Sequence, residues 1–297
     1  MLKIGIDLGG TKTEIVAFDA NGAALLRRRA PTPVGDYAAT LSLIATLIAD
    51  VERELKATGS IGIGTPGALS PATGLMRNSN STCLNNQPLK IDLQRVLGRE
   101  VRLANDANCF ALSEAHDGAA AGATSVFGVI IGTGVGGGIV INGQVIDGPN
   151  AITGEWGHNP LPWPEDHERP GAPCYCSKHG CIETFLSGPG LARDYTLYTG
   201  TAISAEAIVT RSTRDANAEQ TLVRYEHRLA RALATVINVL DPAVIVLGGG
   251  LSNIERLYKN IPALWGKWVF SDTVRTRLLR NVHGDSSGVR GAAWLWN

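Results

Sequence analysis

Between Gly154 and Glu183 the chain reads GEWGH, then a polar loop, then CYCSKHGCIE. Cys174, Cys176 and Cys181 are three of its five cysteines, and His158 lies shortly upstream. Thiolates joined by one imidazole are the donor set of a closed tetrahedral zinc site. Cys174 and Cys176 stand too close in sequence for an easy mutual disulfide, so metal binding is expected, with a set of free buried thiols as the alternative. His179 rivals His158 as the fourth ligand, although a solvated turn residue is its plainer reading. Four protein ligands would close the site, so the metal is expected to fix a loop rather than act as a Lewis acid. Glu155 and Glu183 flank the cluster, and paired carboxylates suit a ligand rich in hydroxyls; ordinary surface charge is their alternative.

Two glycine-rich turns carry a second kind of chemistry. Asp7-Leu8-Gly9-Gly10-Thr11-Lys12 closes the first apolar strand, and Gly132-Thr133-Gly134-Val135-Gly136-Gly137-Gly138 repeats the device. Backbone N–H groups without Cβ atoms beside them can approach an anion, and Thr11 and Lys12 add a hydroxyl and a charge. Neither turn has the spacing of a P-loop, and neither leads into a helix as a dinucleotide fingerprint does. Two such turns, with Gly248-Gly249-Gly250, favour a nucleoside triphosphate held between two lobes. Asp7 at the strand end suits Mg²⁺ bound through water, or simple capping. Asn105-Asp106 follows a buried strand and precedes a helix. Asp106 there can accept a proton from a hydroxyl, but the pair also has the form of a helix N-cap.

The elements that must position these residues follow from periodicity. Leu2–Asp7 reads as a strand, residues 13–29 as a hairpin turning at Asn21-Gly22 in type I′ form, and residues 36–58 as a helix capped by Asp36. Strands are expected at Ser60–Gly64 and Val101–Ala104, with a helix from about Asn108. From Ser125 the layout of the N-terminus recurs. Gly5 corresponds to Gly128 and Asn21 to Asn142, separations of 123 and 121 residues, which points to a diverged duplication. A long helix over Ala218–Leu240, a buried strand over Ala243–Leu247 and a short helix over Gly288–Trp296 complete the reading. The expected fold class is α/β with two lobes and a cleft between them. The smaller lobe would hold residues 1–120 and 286–297, and the larger residues 121–285 with the metal loop.

Lys+Arg and Asp+Glu balance at 27 each, so no global field favours nucleic acid or an anionic membrane. No stretch reaches the roughly 18 apolar residues that span a bilayer. No basic segment followed by a long apolar run opens the chain, so no signal peptide is expected. Clustered cysteines fit a reducing, cytoplasmic setting.

Taken together, IDLGGTKT at 6–13, GTPG at 64–67, NDAN at 105–108, GTGVGGG at 132–138, GEWGH, CYCSKHGCIE, LGGG at 247–250 and GVRGAA at 288–293 resemble the ROK family of sugar kinases and repressors. The resemblance implies the actin-like ATPase (ribonuclease H-like) fold, with ATP, Mg²⁺ and a structural Zn²⁺. It implies Asp106 as catalytic base and His158, Cys174, Cys176 and Cys181 as zinc ligands. Sugar contacts would come from Asn105, Asp106, Glu155, His158 and Glu183. Within the family the chain looks most like bacterial fructokinases, through NSNSTCLNNQPL at 78–89, GEWGHNPLPWP at 154–164 and HGDSSGVRGAAWLW at 283–296. Asn80 is then a further sugar contact. ATP-dependent phosphorylation of D-fructose at O6, with mannose as a second substrate, is the expectation. Relatives acting on N-acetylglucosamine share several of these motifs but differ after the histidine; they and the family's glucokinases are the alternative. Family repressors carry a helix-turn-helix ahead of the kinase-like part, and the phosphate strand begins here by Lys3, so a repressor is not expected. The family is often dimeric, and a homodimer is the state that the resemblance implies.

Overall fold

The structure is a computed structural model that describes residues 2–296, apart from the Asp285 side chain. Residues 1 and 297, at the ends of the expected smaller lobe, lie outside the described residues. The chain divides into two compact units, one of residues 1–118, 138–153 and 283–297, the other of 119–137 and 154–282.

The first unit opens with β1 (Leu2–Leu8), β2 (Lys12–Phe18) and β3 (Ala24–Pro31), then α1 (Tyr37–Leu55), β4 (Gly59–Thr65), the short β5 (Ala68–Leu69) and β6 (Met76–Arg77), α2 (Leu89–Leu97), β7 (Val101–Asn105) and α3 (Asp106–His116). Its main sheet has the order β3-β2-β1-β4-β7. The expected cap of α1 is present, with the Asp36 side chain accepting from Ala39 N at 2.9 Å. Thr40, Ile44, Leu47, Ile48 and Val51 form its buried stripe, each large side chain contributing about 2 kcal/mol by leaving water. The first turn departs from expectation. Asn21 does not take a positive φ; Gly22 alone does, at 81°. Asp19 Oδ1 accepts from Asn21 N and Ala23 N at 2.9 and 2.8 Å, which draws the turn into a longer loop. The Asn142-Gly143 turn does have both φ values positive, 50° and 76°.

The chain continues through β8 (Ser125–Ile131), β9 (Val135–Ile141), β10 (Gln144–Val145), α4 (Ile182–Leu186), α5 (Gly188–Thr199), α6 (Ala205–Arg211), α7 (Ala216–Leu240), β11 (Val244–Gly248), α8 (Leu257–Trp265), β12 (Arg277–Arg280) and α9 (Ser287–Ala293). The second sheet has the order β10-β9-β8-β11-β12, the same connectivity as the first. Gly5 and Gly128 are each the fourth residue of a seven-residue strand, β1 and β8, so the duplicated core is present in the topology. Residues 138–153 group with the first unit rather than the second. The reason is contact with α3: a Cβ at Gly138 would lie 2.6 Å from Ala107 O. Trp265, near the end of α8, is only 2% exposed.

The C-terminal helix α9 lies on the first sheet at paired glycines. Gly5 and Gly62 are neighbours in register, and a Cβ on either would fall within 1.9 Å of the Val289 or Ala292 carbonyl oxygen. The Arg290 guanidinium is bonded to Asp117 Oδ2, and Ser287 Oγ donates to the buried Glu114 at 2.8 Å. The HGDSSGVRGAAWLW segment is therefore explained by packing onto β1, β4 and α3.

A buried ion network ties the second unit together. Glu168, 5% exposed, accepts from Arg228 Nε at 2.7 Å and from Arg231 Nη2 at 2.8 Å, while Arg228 Nη1 reaches Asp194 at 2.8 Å. Burial alone would raise the Glu168 pKa, but the hydrogen bonds from Arg228 and Arg231 outweigh it and hold it below the ordinary 4.5. A lowered folded pKa contributes stability above the ordinary value, and that contribution is lost as pH falls below about 4.5. Glu168→Gln removes the carboxylate charge from Arg231 and leaves Arg228 with Asp194 alone, and is expected to cost about 3 kcal/mol in urea unfolding at pH 7. An unchanged midpoint would show the network to be dispensable.

Candidate active site

In the first unit, the turn after β1 is braced on its outer side. Gly9 N donates to Lys12 O at 3.0 Å and Thr32 N to Thr11 O at 3.0 Å, and Thr32 Oγ1 donates to Gly9 O at 2.8 Å. Gly10, Thr11 and Lys12 stay exposed. Asp7 is half-buried beside α9, where a Cβ at Gly288 would lie 3.2 Å from its Oδ2. A Cβ at Gly10 would lie 3.2 Å from Ser81 Oγ, which sets the turn beside the 78–86 loop. That loop is built by Asn85, whose side chain accepts from Ser79 N and donates to Ser79 O, both at 2.9 Å. Asn80 stands exposed on it.

β7 delivers Asn105 and α3 begins at Asp106. The capping role falls to Asn105, which accepts from Ala107 N at 2.8 Å. Asp106 Oδ1 shares that donor at 2.7 Å. Although Asp106 keeps solvent access, desolvation by the surrounding protein raises its pKa, against the opposing bonds from Ala107 N–H and the Asn105 side chain. A carboxylate whose pKa is moved upward is a stronger base and suited to take a proton.

In the second unit, His158, Cys174, Cys176 and Cys181 bring one ligand atom each to within 4.8 Å of the others. Cys174 Sγ is 3.5 Å from His158 Nδ1, and Cys176 Sγ is 3.5 Å from Cys181 Sγ. A tetrahedron with metal–sulfur bonds near 2.3 Å places its corners about 3.8 Å apart, so this donor set fits zinc. The backbone closes the loop through Cys174 N to Lys178 O at 2.8 Å and Leu161 N to Gly180 O at 2.9 Å. Burial pushes the Cys181 thiol up to about 12, while the Lys178 N–H lowers that of Cys176. A divalent cation is the group that would allow all three to ionise together. His179 is exposed and outside the group.

His158 Nε2 meets the Tyr175 hydroxyl at 2.8 Å. Nothing in its spacing marked Tyr175. Partial desolvation and the charges of Glu183 and Glu155 push its pKa up to about 12, although the residue as a whole is largely exposed. Glu183 sits in the first turn of α4, where Oε2 accepts from Val135 N at 2.9 Å. The metal loop is thus fastened to the Gly132–Val135 turn. Glu155 is exposed, and the next residue, Trp156, donates Nε1 to Gly136 O at 3.0 Å. Asn159-Pro160-Leu161 also frames the metal loop, with Asn159 O accepting from Ile182 N at 2.8 Å.

The turn itself is tight, with Gly132 N to Gly134 O at 3.0 Å and Gly188 N to Gly132 O at 2.7 Å. Gly248 ends β11. Gly249 takes φ 80°, and a Cβ there would fall 2.5 Å from Ile131 O. Gly132, Thr133 and Gly250 line one cavity of about 660 Å³ together with Pro189, Val209 and Ile254. Those last three residues carry no motif. They converge because α5 and α6 lie beside the turn in space while standing far from it in sequence.

A model of the ROK family matches residues 3–297. The chain belongs to the ROK family. The fold is accordingly the actin-like ATPase fold, with two mixed sheets. The N-acetyl-D-glucosamine kinase of Yersinia pseudotuberculosis is 39% identical over 296 residues, covering 98% of this chain and 97% of that protein. A ROK hexokinase from Thermus thermophilus superposes with a TM-score of 0.88 at 31% identity, covering 99% of this chain and 97% of the other. A ROK glucokinase from Streptomyces griseus, solved with glucose and AMPPNP, gives 0.77 at 26% identity over 99% and 98% of the two chains. The expected kinship with fructokinases has no counterpart in these names, which read N-acetylglucosamine kinase, hexokinase and glucokinase. Among the described residues no helix is long and apolar enough to cross a membrane.

Proposed function

We propose that this ROK protein is a sugar kinase that transfers the γ-phosphoryl group of ATP to the primary hydroxyl, O6, of a free hexose. The observation that carries the reading is the cavity where Gly132, Thr133 and Gly250 meet apolar side chains of α5, α6 and the 250–254 turn. Apolar walls suit an adenine ring, and glycine amides suit the phosphates that follow it. In this reading Asp106 takes the O6 proton. Amides at Gly10–Thr11 and Gly132–Gly134, with Lys12, bear the phosphate charge. Asn80, Asn105, Glu155, His158 and Glu183 hold the sugar. Mg²⁺, near Asp7, would neutralise phosphate charge. Zn²⁺, on His158 and the three cysteines, would fix the loop that carries Glu155 and Glu183. The chain would work in the cytoplasm, with no nucleic acid or membrane partner, and as a homodimer.

Two acceptor sugars have specific support. N-acetyl-D-glucosamine is favoured by the 39% identical kinase of that name. D-fructose, with mannose, rests on the three segments that resemble fructokinases. Residues 283–296 dock on α3 and 159–161 brace the metal loop; the exposed Asn80 of the 78–89 loop, with Glu155 and His158 of the 154–164 segment, are the candidate sugar contacts in these segments. An ADP-release assay over N-acetylglucosamine, fructose, mannose and glucose separates the readings. One sugar is expected to exceed the others at least tenfold in kcat/KM, and turnover of none would end the kinase reading.

A further inference from the structure

The buried ion network of the second unit carries more positive charge than negative. Glu168 is shared by Arg228 and Arg231. Asp194 is shared by Arg228 and by Arg224, whose Nε lies 2.8 Å from Asp194 Oδ2. Arg193, next to Asp194 in the chain, brings a further guanidinium. It donates to a neutral group, Thr184 O, and among the described residues it forms no ion pair. Four guanidinium groups thus meet two carboxylates. Arg169 does not alter the balance, since Asp166 pairs with it at 3.5 Å. Burial lowers the Arg193 pKa; the charge of Asp194 opposes the fall and that of Arg228 adds to it. Arg193 and Arg228 both line a cavity of about 440 Å³, whose other walls are the 167–172 segment, Phe185, Leu197 and Tyr198. It shares no lining residue with the cavity at Gly132, Thr133 and Gly250. Arg228 is only 3% exposed, so little water screens its charge. It commits Nε and Nη1 to the two carboxylates, which leaves Nη2. Tyr198 is held in the wall by Arg224, whose guanidinium lies 3.8 Å from the ring centroid.

We propose that this cavity is a second ligand site, which takes a phosphoryl dianion against Arg193 and Arg228. Guanidinium forks match phosphate oxygens two at a time. Two surplus positive charges match the charge of a phosphate monoester at neutral pH. The walls at Phe185, Leu197 and Tyr198 leave room for the body of a small ester such as a hexose phosphate; inorganic phosphate offers the same group without that body. Arg193→Gln removes the charge and keeps a donor for Thr184 O. Inorganic phosphate and glucose 6-phosphate are titrated calorimetrically into the parent chain and the variant, with AMPPNP present to occupy the phosphate turns. Binding elsewhere is common to both proteins, so their difference reads this cavity. The parent chain is expected to bind at millimolar concentrations, and Arg193→Gln about tenfold more weakly. Tighter binding of the ester assigns the apolar walls to its sugar, and equal binding of the two makes phosphate itself the ligand. Leu197→Glu is the second variant. Leu197 is 74% exposed at the cavity rim, so a carboxylate there leaves the ion network intact and is expected to repel the anion. No binding of either anion by the parent chain overturns the proposal, as does unchanged affinity in Arg193→Gln or, should that variant not fold, in Leu197→Glu. The titration needs no sugar turnover, so this site and the kinase reading stand or fall separately.

Discussion

Replacing Asp106 with Asn is expected to lower kcat by about 10³-fold while KM for sugar and ATP changes little. The substitution is isosteric. Asn105 keeps its bond to Ala107 N at 2.8 Å, so the start of α3 is capped without Asp106. The amide oxygen at 106 can still accept from Ala107 N, but it has no basic oxygen to receive a proton. The pH profile gives an independent reading. Burial raises the Asp106 pKa above its ordinary 3.8, and a base works only when ionised, so the parent chain's kcat should fall as pH drops through that raised value. The variant's residual rate should lack this limb. Near-normal turnover, or an acid limb that persists in the variant, would remove Asp106 from the chemistry.

The sequence made some of this legible and concealed the rest for physical reasons. Helix α1 was readable because one packed face imposes a 3.6-residue period, and Ile44, Ile48 and Val51 keep it. The duplication was readable because a seven-residue strand and a glycine-rich turn recur at nearly constant separation. Hydrophobic identity could not locate Trp265, whose burial depends on which side of α8 meets the unit's core. The Asn21-Gly22 signal misled because Asp19, two residues earlier, competes for the turn's N–H groups. Within the candidate site, residues with distinctive chemistry stood out: the cysteines, His158 and Asp106. The apolar wall of the nucleotide cavity did not, since Pro189, Val209 and Ile254 look like any packing residues until α5 and α6 are folded beside the turn. Glu183 was visible as a carboxylate, but its bond to Val135 N joins residues 48 positions apart, a separation that no local pattern encodes.

That bond gives the metal loop a wider reach than sugar contact. Cys176→Ser is expected to abolish stoichiometric zinc, because a serine hydroxyl does not supply the thiolate that this donor set requires. Without the ion, the remaining thiols and His158 have no common partner, and the loop between Pro160 and Cys181 keeps its backbone bonds and the Glu168 ion pairs but loses the tie among its ligands. Glu155 and His158 lose their fixed positions, so sugar KM should rise at least tenfold, the range seen when support of a metal site is lost. Glu183 carries the disturbance further: its Oε2 anchors Val135 N, the residue next to Gly134 in the phosphate turn. KM for ATP should therefore rise as well, by a smaller factor, and the melting temperature of the variant should fall. Treating the parent chain with a chelator should reproduce all three changes, and added zinc should reverse them in the parent chain but not in the variant. Full activity in a chain shown to be metal-free would make the four ligands a relic of the loop's geometry and leave Glu183 to hold the turn without help.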